Sequence, residues 1–137
     1  MNFEYRKIEE AYEFVSAGEV FAHSALLDTA TGAVLLQTES GELDEFPAEI
    51  DRDRYLPIPN RIELQLGKRL VIAFVAAHLP AALTDVREMF GSRGAYTRFK
   101  ELLAVNNLFD AWYEYEGKET ERALREWCAG AGITLEG

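Results

Sequence analysis

The chain has 137 residues, of which 48% are hydrophobic and 28% are charged, a composition that excludes disordered and fibrous proteins. A chain of this length buries about two-thirds of the surface that its unfolded form exposes, so we expect one domain, residues 1–137, needing neither disulfide nor metal. Its formal net charge of −10 repels nucleic acid at long range and makes nucleic-acid binding less favoured than protein binding.

The sequence lacks the apolar segments of exported and membrane proteins. Residues 1–7 contain no apolar run of the kind found in a secretory signal, and the longest strongly apolar stretch, residues 70–79, is about half of what a bilayer-spanning helix requires. Cys128 is the single cysteine, so no intramolecular disulfide can form. We therefore expect a cytoplasmic protein with no membrane passage, and the oligomeric state is left open.

The first part of the chain, residues 1–60, predicts a helix followed by a β-hairpin. Apolar residues within positions 8–15 recur at helical spacing, which predicts a helix of about ten residues. Two short apolar runs, residues 20–27 and 33–37, then flank a polar connection. Because Gly32 in that connection can adopt a positive φ, the pattern predicts a hairpin.

An acidic loop, residues 38–53, is predicted to follow the hairpin. Its carboxylates could in principle bind a divalent cation, with Glu49, Asp51 and Asp53 as ligands. The spacing matches no recognised calcium loop, so a solvated loop is the favoured interpretation and no metal site is predicted. The next segment, Tyr55 to Pro59, contains two prolines and can form at most a short edge strand.

The second part, residues 61–137, is predicted to be helical almost throughout. Apolar residues from Leu66 to His78 define one face of a helix that Pro80 closes. Thr84 and Asp85 are positioned to cap a short helix that follows.

Two further helices are predicted after Gly91. One begins at Ser92 or just after it and ends at Asn106, and the other covers about residues 108–129 with an interruption at Gly117. The predicted fold class is therefore α+β, with a small N-terminal antiparallel β element followed by a C-terminal helical bundle.

Charge is distributed unevenly along the chain. Residues 1–60 contain thirteen acidic and four basic side chains, whereas residues 61–100 contain seven basic and three acidic ones. Residues 101–137 are acidic again, with eight acids and three bases. Two interpretations stay open: the basic middle docks on the acidic flanks, or it forms a basic surface that faces a partner.

The segment Gly91–Lys100 is the chemically most distinctive one, because it combines cations, aromatics and glycines within an acidic protein. On a helix that begins at Ser92, the side chains of Arg93, Thr97 and Lys100 would share an arc of about 60°. Glycines allow close backbone approach, and N–H groups at a helix start favour an anion such as phosphate. The predicted ligand-binding residues are Arg93, Arg98, Lys100, Thr97 and Gly94.

A purely structural interpretation of the same segment competes with the binding interpretation. In it, Gly91 ends one helix, Gly94 allows contact between helices, and the cations pair with neighbouring acidic segments. Exposed ion pairs of that kind contribute about 0–1 kcal/mol each.

The remaining reactive side chains predict no catalytic site. His23 and Ser24 alternate on a predicted strand and point to opposite faces, so they cannot share a proton, even with Asp28 nearby. His78 continues an apolar helix face, and Cys128 has no adjacent base, so we expect both to be structural. No cofactor is predicted.

Aromatic residues of the last helical region could form a stacking platform for bases or a helix core. Trp112 and Tyr115 are three residues apart, and Trp127 lies close to Leu124, which is the spacing of core packing. Core packing is therefore predicted, with Tyr113 as the exposed aromatic.

The order of these signals resembles the bacterial uncharacterised protein family (UPF) 0158. The resemblance rests on the hairpin, Tyr55-Leu56-Pro57-Ile58-Pro59, Gly91–Lys100, Trp112-Tyr113 and Arg125-Glu126-Trp127. It extends over nearly the whole chain and is strongest from residue 55 onward. It implies a bacterial, cytoplasmic protein, and it assigns no activity and no catalytic residue.

Together, these patterns predict a non-enzymatic binding or regulatory protein that meets an acidic protein or an anionic ligand through Gly91–Lys100. The alternative is a nucleic-acid or phosphate-ligand binding protein that uses the same cations. A third hypothesis is a hydrolase with residues that the sequence does not identify. The low content of histidine and cysteine disfavours an enzyme.

Overall fold

The computed structural model describes residues 2–19 and 21–136. Its elements in chain order are β1 (Asn2–Glu4), α1 (Tyr5–Ser16), β2 (His23–Asp28), β3 (Val34–Thr38), β4 (Tyr55–Pro57), α2 (Lys68–His78), a 3₁₀ turn (Pro80–Ala82), α3 (Leu83–Met89), α4 (Ala95–Val105), α5 (Phe109–Gly130) and β5 (Thr134–Glu136). A small sheet early in the chain and a helical region after it confirm the predicted α+β class.

The chain divides into two compact units. Residues 1–64 together with 122–137 form the first, which we call the mixed unit because it contains the strands. Residues 65–121 form the second, which we call the helical unit. The expectation of a single domain over the whole chain stays a prediction.

A three-stranded antiparallel sheet with the order β3-β2-β4 lies in the mixed unit. β2 pairs with β3 so that Ala25 lies opposite Leu36, which confirms the predicted hairpin, and β4 pairs with the other side of β2 as an edge strand. The strand predicted over residues 20–27 begins later, at His23, and Val20 lies outside the described residues. Gly32 in the connection has a φ of +80°.

A second, parallel pairing in the mixed unit was not predicted from the sequence. β1 pairs with β5, and Asn2 lies opposite Thr134. Helix α1 follows β1 directly and buries five side chains of one face, Tyr5, Ile8, Ala11, Tyr12 and Val15. That face has the helical spacing that predicted the helix.

Part of the predicted acidic loop folds back along the outer edge of β3. The backbone N–H of Leu36 donates to a side-chain oxygen of Glu45 at 2.9 Å, and the Glu45 N–H donates to the Leu36 carbonyl at 2.9 Å. The Thr38 N–H likewise donates to the Leu43 carbonyl at 2.8 Å. These bonds occupy backbone groups that an edge strand otherwise leaves unpaired.

The helical unit is built around aromatic and branched side chains with little or no exposed surface. Its buried cluster consists of Leu70, Val71, Phe74, Val75, Val86, Phe99, Leu103 and Trp112. The ring of Trp112 meets Phe74 edge to face at 5.2 Å and Phe99 at 5.0 Å, the geometry that aromatic pairs prefer. This confirms the predicted core role of Trp112.

Two predicted helix boundaries are wrong. Helix α3 begins at Leu83, directly after the 3₁₀ turn, so Thr84 and Asp85 lie in its first turn and do not cap it. Helix α5 runs unbroken through Gly117 from Phe109 to Gly130. Within the described residues, none of these helices has the length and apolar character to cross a bilayer.

Candidate functional site

The predicted binding segment Gly91–Lys100 forms the turn between α3 and α4 and the first part of α4; we call residues 91–94 the α3–α4 turn. Gly94 is the N-cap of α4, with φ +74° and ψ 15°, and the helix begins at Ala95. Arg93 therefore precedes the helix. The predicted face shared by Arg93, Thr97 and Lys100 is wrong for Arg93 and holds for the other two, which are three residues apart on α4.

Arg98 holds the α3–α4 turn together. Its Nη2 atom donates hydrogen bonds to the Met89 carbonyl at 3.1 Å and to Ser92 Oγ at 2.7 Å. The Ser92 hydroxyl in turn donates to the same Met89 carbonyl at 3.3 Å. Because Met89 is the last residue of α3, Arg98 satisfies a carbonyl that the helix leaves without an internal partner.

Arg93 and Lys100 differ from Arg98 in having no such local role. Both side chains are exposed, as is Thr97. Within residues 2–19 and 21–136, neither cation forms an ion pair or a side-chain hydrogen bond. The two charges are therefore available to an external anion, with Arg93 on the turn and Lys100 about one and a half turns into α4.

The two glycines of the turn have different structural roles. The positive φ of Gly94 favours glycine at this position. A Cβ atom added there would meet nothing within 4 Å, so the predicted close helix contact is absent. Gly91 follows Phe90, the C-cap of α3, and donates its N–H to the Glu88 carbonyl at 3.0 Å. This agrees with the structural interpretation, in which Gly91 ends a helix.

The aromatic residues of the segment support the turn from the core side. Phe99 is 1% exposed and belongs to the core cluster, whereas Tyr96 is 40% exposed. The ring of Phe90 meets Tyr96 edge to face at 5.1 Å and Phe99 at 6.2 Å. Aromatic packing therefore fixes one side of α4.

The two units carry very different charge. The mixed unit contains sixteen acidic and seven basic side chains, a net charge of −9, and the helical unit contains eight and seven, a net charge of −1. The segment Gly91–Lys100 contributes three cations and no acid to the helical unit. An approaching anion is therefore repelled much less by the helical unit than by the mixed unit.

The histidines and the cysteine contribute to packing. The ring of His23 stacks on Phe14 at 4.7 Å, and its Nδ1 atom lies 3.0 Å from the Phe14 carbonyl. His78 stacks on Phe74 at 4.3 Å. Cys128 is 1% exposed, and burial raises the pKa of its thiol, while Arg125 opposes this shift. Cys128 is buried as predicted, whereas His78 is an exposed residue in the last turn of α2, and the structural roles of both stay predictions.

Sequence reasoning missed the ion pair between Asp28 and Arg54 in the mixed unit. Arg54 donates from Nε and Nη2 to the two Asp28 carboxylate oxygens at 2.9 and 2.8 Å, and the Ala30 N–H donates to Oδ1 at 2.9 Å. The hydrogen bonds from Arg54 hold the pKa of the Asp28 carboxyl well below its usual range. Only the pairing of β2 with β4, in which Asp28 lies opposite Tyr55, brings the two together.

The acidic loop is organised by its own backbone. Asp51 Oδ1 accepts a hydrogen bond from the Asp53 N–H at 2.9 Å, and the Asp51 carbonyl accepts one from the Tyr55 N–H at 2.9 Å. In the described part of the chain, no group of three or more acidic, histidine or cysteine side chains is arranged to hold a metal ion.

Comparison of the chain with models of known protein families, with curated proteins and with solved structures gives no match. The resemblance to UPF 0158 has no support from these comparisons and stays a prediction.

Proposed function

We propose that this protein is a non-enzymatic, cytoplasmic binding or regulatory protein that meets an acidic protein or an anionic ligand through Arg93 and Lys100. The proposal rests on a difference in bonding among the three cations of the segment. Arg98 is bonded to the turn, whereas Arg93 and Lys100 are exposed and have no ion-pair partner among the described residues. Membership of UPF 0158, with the bacterial origin that it implies, is part of the same proposal.

The architecture of the turn favours binding because it limits the cost of ordering the site. The Arg98 bonds and the packing of Phe90 on Tyr96 and Phe99 hold the turn and α4 in place before a partner arrives. Only the two long cationic side chains then lose freedom on binding, which costs about 0.5–1.5 kcal/mol for each. Charge-assisted bonds to carboxylate or phosphate are among the strongest that a surface can form. Thr97, exposed on the same helix, adds a hydroxyl donor.

The test compares a double variant that lacks both cations of the site with a double variant that lacks two cations elsewhere. Arg93→Ala with Lys100→Ala removes two charges from the site, and Lys68→Ala with Arg87→Ala removes two exposed charges from elsewhere in the helical unit. Binding to a 20-residue polyglutamate peptide, to inorganic phosphate and to single-stranded DNA is measured at several salt concentrations. We expect the site pair alone to weaken polyglutamate binding at least tenfold, with folding stability changed by less than about 0.5 kcal/mol.

Each probe decides between named alternatives. The nucleic-acid alternative would be favoured by two results together. The protein would bind DNA more tightly than polyglutamate, and the logarithm of the DNA affinity would fall steeply and linearly with the logarithm of the salt concentration. Equal losses in the two double variants would show that only overall charge matters. If the Arg93→Ala, Lys100→Ala variant is clearly less stable than the unaltered protein but binds polyglutamate equally well when folded, the two cations are structural and the proposal is wrong.

A further inference from the structure

A concave surface lies in the mixed unit, beside α1 and β3, and shares no residue with the α3–α4 turn. It is a depression of about 160 Å³, which we call the α1–β3 depression. Its lining residues are Lys7, Glu10, Ala11 and Phe14 of α1, and Val34 and Leu36 of β3.

The sequence periods of the two elements explain why these side chains meet. The α1 residues stand at relative positions i, i+3, i+4 and i+7 and share one flank of the helix. The β3 residues are two apart and share one face of the strand. Ala11 is only 3% exposed, while Phe14, Val34 and Leu36 are half-buried. The wall is therefore apolar and open to solvent on one side.

Both walls are held in place before any ligand arrives. The Phe14 ring stacks on His23 with an interplanar angle of 15°, and the Phe14 carbonyl lies 3.0 Å from the His23 ring nitrogen. On the strand side, Glu45 occupies both backbone hydrogen-bonding groups of Leu36. A ligand would enter a formed surface, which lowers the cost of binding.

The polar residues of the depression differ in their partners. Glu10 is engaged by Arg6 on the preceding turn at 3.3 Å, whereas Lys7 forms no ion pair with any residue that the structure describes. The lining thus combines apolar side chains with one cation that has no ion-pair partner among the described residues. Because the mixed unit as a whole has a net charge of −9, attraction of an anion to this depression depends on the short-range contact with Lys7. The complementary ligand carries an anionic head beside a short apolar group.

We propose that the α1–β3 depression binds a small carboxylate with an apolar group of about six carbon atoms, whose carboxylate pairs with Lys7. An apolar cavity of about 150 Å³ in another protein holds one benzene molecule, so the volume fits a ring or a short alkyl chain of this size. The anionic head distinguishes this ligand from a purely apolar one.

The experiment titrates the full-length chain with sodium acetate, butanoate, hexanoate and decanoate, and with neutral hexanamide, and follows the backbone amide resonances by NMR. Hexanoate should shift the amides of Ala11, Phe14, Val34 and Leu36 in a saturable manner. Each methylene up to hexanoate should strengthen binding about two- to fourfold. Decanoate should gain little more, because the depression is then filled.

Two exposed-residue variants separate the charge from the apolar wall. Lys7→Gln should weaken hexanoate binding about three- to fivefold and leave hexanamide unchanged, because an exposed charge pair contributes about 1 kcal/mol at most. Arg52→Gln, which removes an exposed cation outside the depression, should change neither.

Several results would overturn the proposal. Hexanamide binding as tightly as hexanoate, or Lys7→Gln leaving hexanoate unaffected, would remove the role of Lys7. Shifts confined to Arg93, Thr97 and Lys100 would assign carboxylate binding to the other site. No saturable shift with hexanoate would show that the depression binds no such ligand.

Discussion

The mixed unit and the helical unit are held together by different kinds of interaction. In the helical unit, helices close in sequence pack around the aromatic rings of Phe74, Phe99 and Trp112. In the mixed unit, pairing joins residues far apart in the chain, as between β1 and β5, and an ion pair links Asp28 with Arg54 across 26 positions. The stability of the helical unit depends on buried apolar surface. The stability of the mixed unit depends also on the register of strand pairing and on the Asp28–Arg54 ion pair.

The difference in charge follows the difference in construction. A net charge of −9 on the mixed unit causes self-repulsion that the almost neutral helical unit does not experience. Acid and salt should therefore affect the mixed unit more, while loss of core volume should affect the helical unit more.

The largest expected effect is a cavity in the core of the helical unit. Phe74 is 0% exposed and contacts the rings of His78, Trp112 and Tyr115, so Phe74→Ala should reduce the free energy of unfolding by about 3–5 kcal/mol. Trp127→Ala in the mixed unit is the matched comparison. Trp127 is half-buried, so we expect a smaller loss. Urea denaturation followed by circular dichroism measures both, and equal losses would contradict the comparison.

The second prediction concerns acid stability of the mixed unit. Because the pKa of Asp28 is lowered in the folded protein, its contribution to stability is complete above the ordinary aspartate pKa of about 3.9 and is lost as the pH falls below it. Asp28→Asn should destabilise the protein at pH 7 and make the decline in stability between about pH 4 and pH 2 less steep.

The control for this prediction is Asp53→Asn, which changes an exposed carboxylate of the same unit. The urea midpoint at pH 7, 4, 3 and 2 is the measurement. If Asp28→Asn and Asp53→Asn give the same pH profile, the Arg54 pair does not contribute to stability in the way that we describe.

The smallest expected effects come from replacing two glycines, one with a positive φ and one inside a helix. Gly94→Ala forces a side chain into the left-handed region and should cost about 1–2 kcal/mol. Gly117→Ala lies inside α5 with nothing within 4 Å of its added Cβ, and should stabilise the protein by about 0.5–1 kcal/mol. Thermal melting of both variants gives the sign directly, and a destabilised Gly117→Ala would reveal a constraint at that position.

Local patterns predicted those elements whose apolar residues recur with a clear period. Helix α1, the β2–β3 hairpin and the edge strand β4 follow from the spacing of apolar residues and from the prolines near residue 57. The uninterrupted α5 shows the limit of local propensity, since a glycine costs a helix about 1 kcal/mol and packing elsewhere along the helix outweighs it.

Interactions between residues far apart in the chain could not be predicted from the local spacing of apolar residues. Strands β1 and β5 have three residues each, too few to show a period, and they pair only once the fold brings them together. For the candidate site, the sequence indicated the segment but not the roles of its cations. The engagement of Arg98 with Met89 depends on the conformation of the turn, which no spacing rule specifies.

The pairing of β1 with β5 also has a consequence for the order of folding. Asn2 and its partner Thr134 are more than a hundred residues apart in sequence, so the chain between them must be brought together before this pairing can form. The helices of residues 65–121 are close to one another in sequence and can pack without closing that long loop. We therefore expect β1 and β5 to pair late, after the helical unit has begun to fold.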